Sequence, residues 1–266
     1  DDGSTDDTLL KIKDLTVLDR KVKYIELSRN FGHQNAIKAG LDAASAEVII
    51  MMDCDLQHPP HLINELLNKY EEGYDVVRTH RIENKNVNFL KRKSSNLFYK
   101  FLNKLSDISL EQGSADFRLI GGAAVDQLKS FNEFDLFYRG LIKWIGFKQM
   151  SIEYMPAERY TGITKYSYKN MISFGLKGFT SFSTKPLYAA AYLGLFFSMG
   201  SLLYIPYIIH AFYVGTEVTG WASVIATIAF FGGLNLMILG IIGLYLSKLF
   251  IQSKNRPHYI IKASNL

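Results

Sequence analysis

Of the 266 residues, 48% are hydrophobic and 21% charged, enough apolar material to build a core and to exclude a disordered chain. The 30 Lys and Arg against 25 Asp and Glu give a net charge of +5, and the basic residues gather beside the apolar stretches, which favours a membrane surface over nucleic acid. The lone Cys54 excludes an intramolecular disulfide and a cysteine-built metal cage.

The chain opens on Asp1-Asp2-Gly3-Ser4-Thr5-Asp6, which reads as the carboxylate-bearing end of a strand with a hydroxyl cap for a helix from Thr8. On that reading the sequence is an N-terminally truncated fragment. Residues 23–27 predict a short strand, and residues 34–44 a helix with Ala36, Ile37, Gly40 and Leu41 on one face. Residues 48–52 are apolar throughout and run straight into Asp53-Cys54-Asp55, the pattern of a buried strand ending in two carboxylates. Pro59-Pro60 opens a helix through Tyr70, and residues 75–79 give another strand. This alternation of strands and helices predicts a parallel α/β sheet.

Residues 82–107 are basic and amphipathic, with Phe89, Leu90, Leu97, Phe98, Phe101, Leu102 and Leu105 at helical spacing between lysines. They read equally as a helix on a membrane surface and as a solvated basic face. A strand at 116–120, helices at 122–130 and 137–145 and a strand at 151–155 follow, leading to Arg159. Residues 187–209 and 221–246 each have the roughly 20 apolar residues that cross about 30 Å of hydrocarbon, and both read as transmembrane helices.

Lys165, Lys169, Lys177 and Lys185 precede the first span, and Lys248, Lys254, Arg256 and Lys262 follow the second, which puts both flanks on the cytoplasmic side. Residues 168–183 pattern as an amphipathic helix lying in the interface. The expected organisation is a catalytic domain at 1–166, an interfacial helix at 167–186, a two-span hairpin at 187–247 and a cytoplasmic tail at 248–266.

Three clusters carry chemistry. Asp53 and Asp55 stand at a strand end, where open α/β sheets bind ligands, and suit a hard divalent cation on a diphosphate. Asp116 and Arg118 read either as a buried ion pair or as part of a transfer site. Arg159 and Lys165 bracket a glycine-containing loop and read either as membrane-flanking charge or as phosphate ligands. His58, Arg29 and His33 carry little weight as site residues; helix-flanking and packing are the commoner roles of the last two.

The Asp1-Asp2-Gly3-Ser4 run followed by Asp53-Cys54-Asp55 resembles the family 2 glycosyltransferases with the nucleotide-diphospho-sugar (GT-A) fold. Ser28-Arg29-Asn30-Phe31-Gly32-His33-Gln34, the extension Leu56-Gln57-His58-Pro59-Pro60, Ala115-Asp116-Phe117-Arg118-Leu119, Arg159-Tyr160-Thr161-Gly162-Ile163-Thr164-Lys165-Tyr166 and Lys254-Asn255-Arg256-Pro257 narrow it. Together they resemble the polyisoprenyl-phosphate glycosyltransferases, which include bactoprenol glucosyltransferases and dolichol-phosphate mannose synthase.

That resemblance implies a GT-A Rossmann-like α/β domain, lacking here its first strand-helix unit, followed by an interfacial helix and two transmembrane helices. It implies transfer, with inversion, from a UDP- or GDP-linked sugar to a polyisoprenyl phosphate such as undecaprenyl phosphate, for cell-envelope glycan modification at the bacterial inner membrane. It assigns Asp1 and Asp2 to the nucleotide, Asp53 and Asp55 to Mg²⁺ or Mn²⁺, and Gln57 to support of that metal. Asp116, Arg159 and Lys165 fall at the transfer site, with Arg118 and Thr164 binding substrate. Thr164 stands where the family usually has Ser and keeps the hydroxyl. A homo-oligomer is compatible with this reading.

Two other readings differ at the residue level. A processive polysaccharide synthase shares the Asp-Asp and Asp-X-Asp elements, but resembles its kin in a Gln-X-X-Arg-Trp motif and further spans that this chain does not contain. A non-catalytic membrane scaffold has no use for Asp53, Asp55, Asp116, Arg159 and Lys165 together.

Overall fold

The computed structural model describes residues 1–82, 114–157, 183–215 and 220–266. The chain divides into a first unit of Asp1–Phe182 with Asn255–Leu266 and a second of Ser183–Lys254.

In the first unit, α1 (Thr8–Leu18) leads to β1 (Ile25–Leu27), α2 (His33–Ala43), β2 (Val48–Met51), α3 (Leu62–Glu71) and β3 (Val76–Arg81). Then follow β4 (Ser114–Gly121), α4 (Gly122–Ser130), α5 (Tyr138–Trp144) and β5 (Gln149–Tyr154). The strands form a sheet of order β2-β4-β3-β5. The expected all-parallel sheet is corrected to a mixed one: β4 runs antiparallel to both β2 and β3, and only β3 and β5 pair in parallel. Apolar periodicity reports which face of a strand is buried and is silent on the direction of its neighbour.

The alternation of β4 sorts the core onto two faces. Ala115, Phe117 and Leu119 pack with Leu62 and Leu66 of α3, while Ile120 packs with Leu41 of α2, Val125 and Leu128 of α4 and Leu141 of α5. Leu66, Phe117, Leu119 and Leu128 are fully buried, and each such side chain contributes on the order of 1.5–3 kcal/mol. β2 is half-buried along its length, less than its apolar run suggested, and among the described residues its ladder partner is β4.

A sixth strand, β6 (Ile261–Ser264), lies in the stretch expected as a plain tail, and pairs antiparallel with β1 through Ile25↔Ser264, Glu26↔Ala263 and Leu27↔Ile261. Glu26 accepts from Lys262 and from Lys13, and the Tyr259 hydroxyl donates to Asp42 Oδ2 at 3.0 Å. Asp1 meets β1 on its main chain, its nitrogen 2.7 Å from Ile25 O and its carbonyl accepting from Leu27 N at 3.0 Å.

The second unit holds α6 (Lys185–Val214) and α7 (Trp221–Ser253), which run beyond the expected spans at 187–209 and 221–246. Phe197 of α6 packs edge-on against Phe230 and Phe231 of α7 at 5.6 and 5.5 Å. Among the described residues one stretch, Ser223–Ser253 of α7, is long and apolar enough to cross a membrane. Its 31 residues, at about 1.5 Å each, exceed the roughly 30 Å of hydrocarbon. The expected helix at 82–107 and most of the expected interfacial helix lie outside the described residues.

Candidate active site

Where β2 ends, the chain turns through Asp53-Cys54-Asp55-Leu56-Gln57-His58 before α3. Leu56 adopts φ 59°, a left-handed conformation unusual for a branched side chain, and Asp55 Oδ1 accepts from Gln57 N at 3.1 Å. Asp53 Oδ2 lies 3.2 Å from Nε2 of His58, whose ring is closed off from solvent while the Asp53 side chain stays about a third exposed. This hydrogen bond holds the Asp53 carboxyl below its usual range, against its burial and the neighbouring charge of Asp116.

On β4, the strand alternation that buries Phe117 turns Asp116 and Arg118 to the opposite face. Asp116 is 5% exposed and takes three partners: Arg118 Nη2 in a close ion pair, Arg139 of α5 through Nε at 3.1 Å and Nη2 at 2.7 Å, and His33 Nε2 at 3.4 Å. Burial alone would raise this carboxyl. The hydrogen bonds from His33 and Arg139 and the charges of both arginines overcome it and hold the group well below the carboxylate range. In return Asp116 raises the His33 imidazole, against its partial burial.

Arg118 is 1% exposed, and its Nη2 also donates to Ala115 O at 2.9 Å. Burial pushes the guanidinium down to about 10, with Asp116 pulling the other way, so it stays charged at neutral pH. Arg118, expected to bind substrate, sits enclosed behind Asp116. Its Nε and Nη1 have no hydrogen-bond partner among the described residues.

Asp53, Asp116 and His33 line one cleft of about 320 Å³, walled by Ile37, Leu41 and Met52. The Asp1-Asp2 pair sits at the loop that enters α2. Asp2 accepts from Phe31 N at 2.7 Å and Gly32 N at 2.9 Å, one bond to each carboxylate oxygen. Gly3 makes this possible: at φ +70° its Cα faces the Arg29–Asn30 peptide, and a Cβ would stand 2.6 Å from it. Asp1 Oδ1 accepts from Ser4 N at 3.0 Å. Asp2 thus fixes the loop that carries His33 to Asp116.

The structure gathers Asp53, Asp55, Gln57, Asp116 and Arg118 at one end of the sheet, with Asp1 and Asp2 on the adjoining loop. Arg159, Thr164 and Lys165 lie outside the described residues. Asp53 and Asp55 offer a divalent cation two hard carboxylates, and among the described residues no group of three His, Cys, Asp or Glu surrounds them. That donor set fits Mg²⁺ or Mn²⁺, which complete their shells from water and phosphate, and would not make a self-contained cage.

Five residues with little or no weight in the sequence belong to the site: His33, His58, Arg81, Arg139 and Tyr154. For His33 and His58 a signal existed, since each lies in a motif that carries the family resemblance. Arg81, Arg139 and Tyr154 are brought in by sheet pairing and helix packing, which no local pattern announces.

Comparison with known proteins bears on the same features. Residues 1–127 match the family described as glycosyl transferase family 2. The chain is 40% identical to the uncharacterized glycosyltransferase YkcC of Bacillus subtilis over 264 residues, 99% of this chain and 82% of that protein. It is 41% identical to the putative glycosyltransferase CsbB of the same organism, over 100% of this chain and 80% of that one. It is also 40% identical to the SfII prophage-derived bactoprenol glucosyl transferase of Shigella flexneri, over 99% of this chain and 86% of that one. An Asp-X-Asp at a strand end, a second carboxylate across the same cleft and identity at this level along nearly the whole chain place the protein: it is a glycosyltransferase of family 2, whose fold is the Rossmann-like GT-A α/β domain, and belongs to the polyisoprenyl-phosphate glycosyltransferases.

Proposed function

We propose that the protein transfers a sugar from a UDP- or GDP-linked donor to a polyisoprenyl phosphate, with inversion, giving a lipid-linked sugar for cell-envelope glycans. The observation that carries this reading is the shared cleft of Asp53 and Asp116, one carboxylate free enough to take a cation and the other locked in an ion-pair cluster. The bactoprenol named in the Shigella relatives supports the acceptor class.

Mg²⁺ or Mn²⁺ bound by Asp53 and Asp55 would supply Lewis-acid stabilisation of the departing nucleoside diphosphate. An acceptor phosphate oxygen forms the new bond to the anomeric carbon, and the donor's bond from that carbon to diphosphate oxygen breaks, the electron pair leaving with the diphosphate. A phosphate monoester, with a second pKa near 6, arrives largely dianionic and needs no base. That suits Asp116, whose low affinity for protons makes it a poor base and a fixed negative charge. Its work is to hold the cleft side of the sheet in register with Arg118, Arg139 and His33.

Arg159 and Lys165 are assigned to the acceptor phosphate, with Thr164 beside them, and Asp1 and Asp2 to the nucleotide side. α7, with α6 as a second span, anchors the enzyme with both flanks and the catalytic unit on the cytoplasmic face, where charge asymmetry puts them.

The test is to offer detergent-purified protein a panel of UDP- and GDP-sugars with undecaprenyl phosphate and to detect product by mass. A lipid-linked monosaccharide, lost on chelation of divalent cations, is the expected outcome. Release of free sugar alone, or growth of a polymer, would overturn the reading.

A further inference from the structure

The loop that carries Asp53 and Asp55 is braced from beneath by a chain of hydrogen bonds, whose directions through His58 are set by the tautomer of its ring. Arg81 and Tyr154 end the parallel strands β3 and β5 and lie side by side in register. Arg81 Nε donates to the Tyr154 hydroxyl oxygen at 2.9 Å, because a guanidinium has only donors. The Tyr154 proton is then free to go to His58 Nδ1, 2.8 Å away. In the tautomer with Nδ1 accepting, the proton sits on Nε2, which faces Asp53 Oδ2 at 3.2 Å. Arg81 Nη2 lies 3.3 Å from that same Nε2, which with the proton on Nε2 is a close approach of two donors and not a hydrogen bond, while Arg81 Nη1 donates to Gln57 Oε1 at 3.2 Å.

The ring cannot turn away. His58 is 3% exposed and wedged against Phe117 and Tyr154, with ring centroids 5.1 and 5.8 Å apart. We propose that Arg81, Tyr154 and His58 form a positioning relay that sets the orientation of the Asp53 carboxylate and of Gln57, and thereby the affinity of the Asp53–Asp55 pair for a divalent cation. Among the described residues His58 meets Asp53 through Oδ2, so one oxygen is held and the other is left for the cation. This inference rests on the metal-dependent reading above.

The experiment titrates purified full-chain protein with Mn²⁺ in the presence of UDP, and separately GDP, following free Mn²⁺ by its paramagnetic resonance signal. Loss of an outer partner of this kind typically weakens metal binding about 10–100-fold. Tyr154→Phe keeps the packing of the ring and removes only the hydroxyl; it is expected to weaken Mn²⁺ binding by about that factor, with the melting temperature tracked alongside. Asp53→Asn is the control for the metal reading itself. If Asp53→Asn leaves Mn²⁺ affinity intact, the metal reading falls; if Asp53→Asn weakens it while Tyr154→Phe does not, the relay alone falls.

A second readout does not depend on metal. In ¹⁵N-histidine-labelled protein, His58 is expected as the Nε2-protonated tautomer, and Tyr154→Phe is expected to remove that fixed assignment. A His58 signal that is Nδ1-protonated in the wild type would overturn the relay whatever the binding data show.

Discussion

Arg139 of α5 grips Asp116 of β4 with two nitrogens, Nε at 3.1 Å and Nη2 at 2.7 Å, across 23 residues of sequence. Because the fork is planar, it fixes the carboxylate in rotation as well as position. Arg139→Lys is expected to lower turnover by about tenfold or more, since losing a charge-assisted hydrogen bond costs roughly 1.5–3 kcal/mol. With the side chain about a quarter exposed, the melting temperature should shift little. Steady-state kinetics beside a thermal melt of the same variant checks this; an unchanged kcat would leave Arg139 as packing.

Asp53→Ala and Asp55→Ala are each expected to abolish transfer, but with different effects on stability. Removing Asp53 also takes the partner from His58, a buried polar group, and should cost about 1–3 kcal/mol. Asp55 accepts from the Gln57 amide in a half-buried turn and leaves no buried ring behind, so its loss should cost less than that. Calorimetry in detergent on both variants separates the two, and restored activity at high Mn²⁺ in either would argue against the metal role.

The Asp116 cluster makes stability depend on pH at both ends. An Asp whose folded pKa is depressed stabilises the fold above its unfolded value, about 3.9, and that contribution drains away as pH falls towards the folded value. His33 has the opposite sign: its pKa is raised by Asp116, so its contribution is complete below about 6.5 and is lost as pH rises through the raised value. His33→Gln should flatten the alkaline limb, modestly because the ring is half exposed, and also soften the acid limb, because its hydrogen bond helps hold Asp116 low. Asp116→Asn should flatten both limbs, since it also removes the charge that raises His33, while costing about 3–5 kcal/mol at neutral pH because it strands Arg118 in the interior. Melting temperatures of the three proteins across the pH range report both limbs.

Gly3→Ala is expected to be far more damaging than its half-buried position suggests. A methyl at φ +70° would stand 2.6 Å from the Arg29–Asn30 peptide, so the loop must move and Asp2 must release Phe31 and Gly32. The left-handed backbone alone costs about 1–2 kcal/mol. Proteolysis within residues 28–32, compared between wild type and variant, reports the opening directly.

The sequence disclosed Asp53 and Asp55 because a run of apolar residues ending in charge is a local pattern, readable without knowing any neighbour. It disclosed Asp116 with Arg118 for a related reason: on a strand, residues two apart share a face. The helices at His33–Ala43 and Leu62–Glu71 fell within a residue or three of expectation from their apolar faces. What stayed hidden was set by distance along the chain. Arg139 meets Asp116, Tyr154 meets His58 and β4 reverses against β2 through contacts that a periodicity of two or 3.6 does not encode.

The pairing of β1 with β6 has a consequence for how the protein is made. Ile25 waits for Ser264, so the catalytic unit is interrupted in sequence by both long helices. On a chain synthesised at about 5–20 residues per second, the edge of β1 that β6 will occupy stays open while α6 and α7 emerge. The catalytic unit therefore finishes folding only after both long helices have been made. A nascent chain stalled or cleaved before Ile261 would carry an unfinished enzyme, its open strand edge available to quality-control proteases.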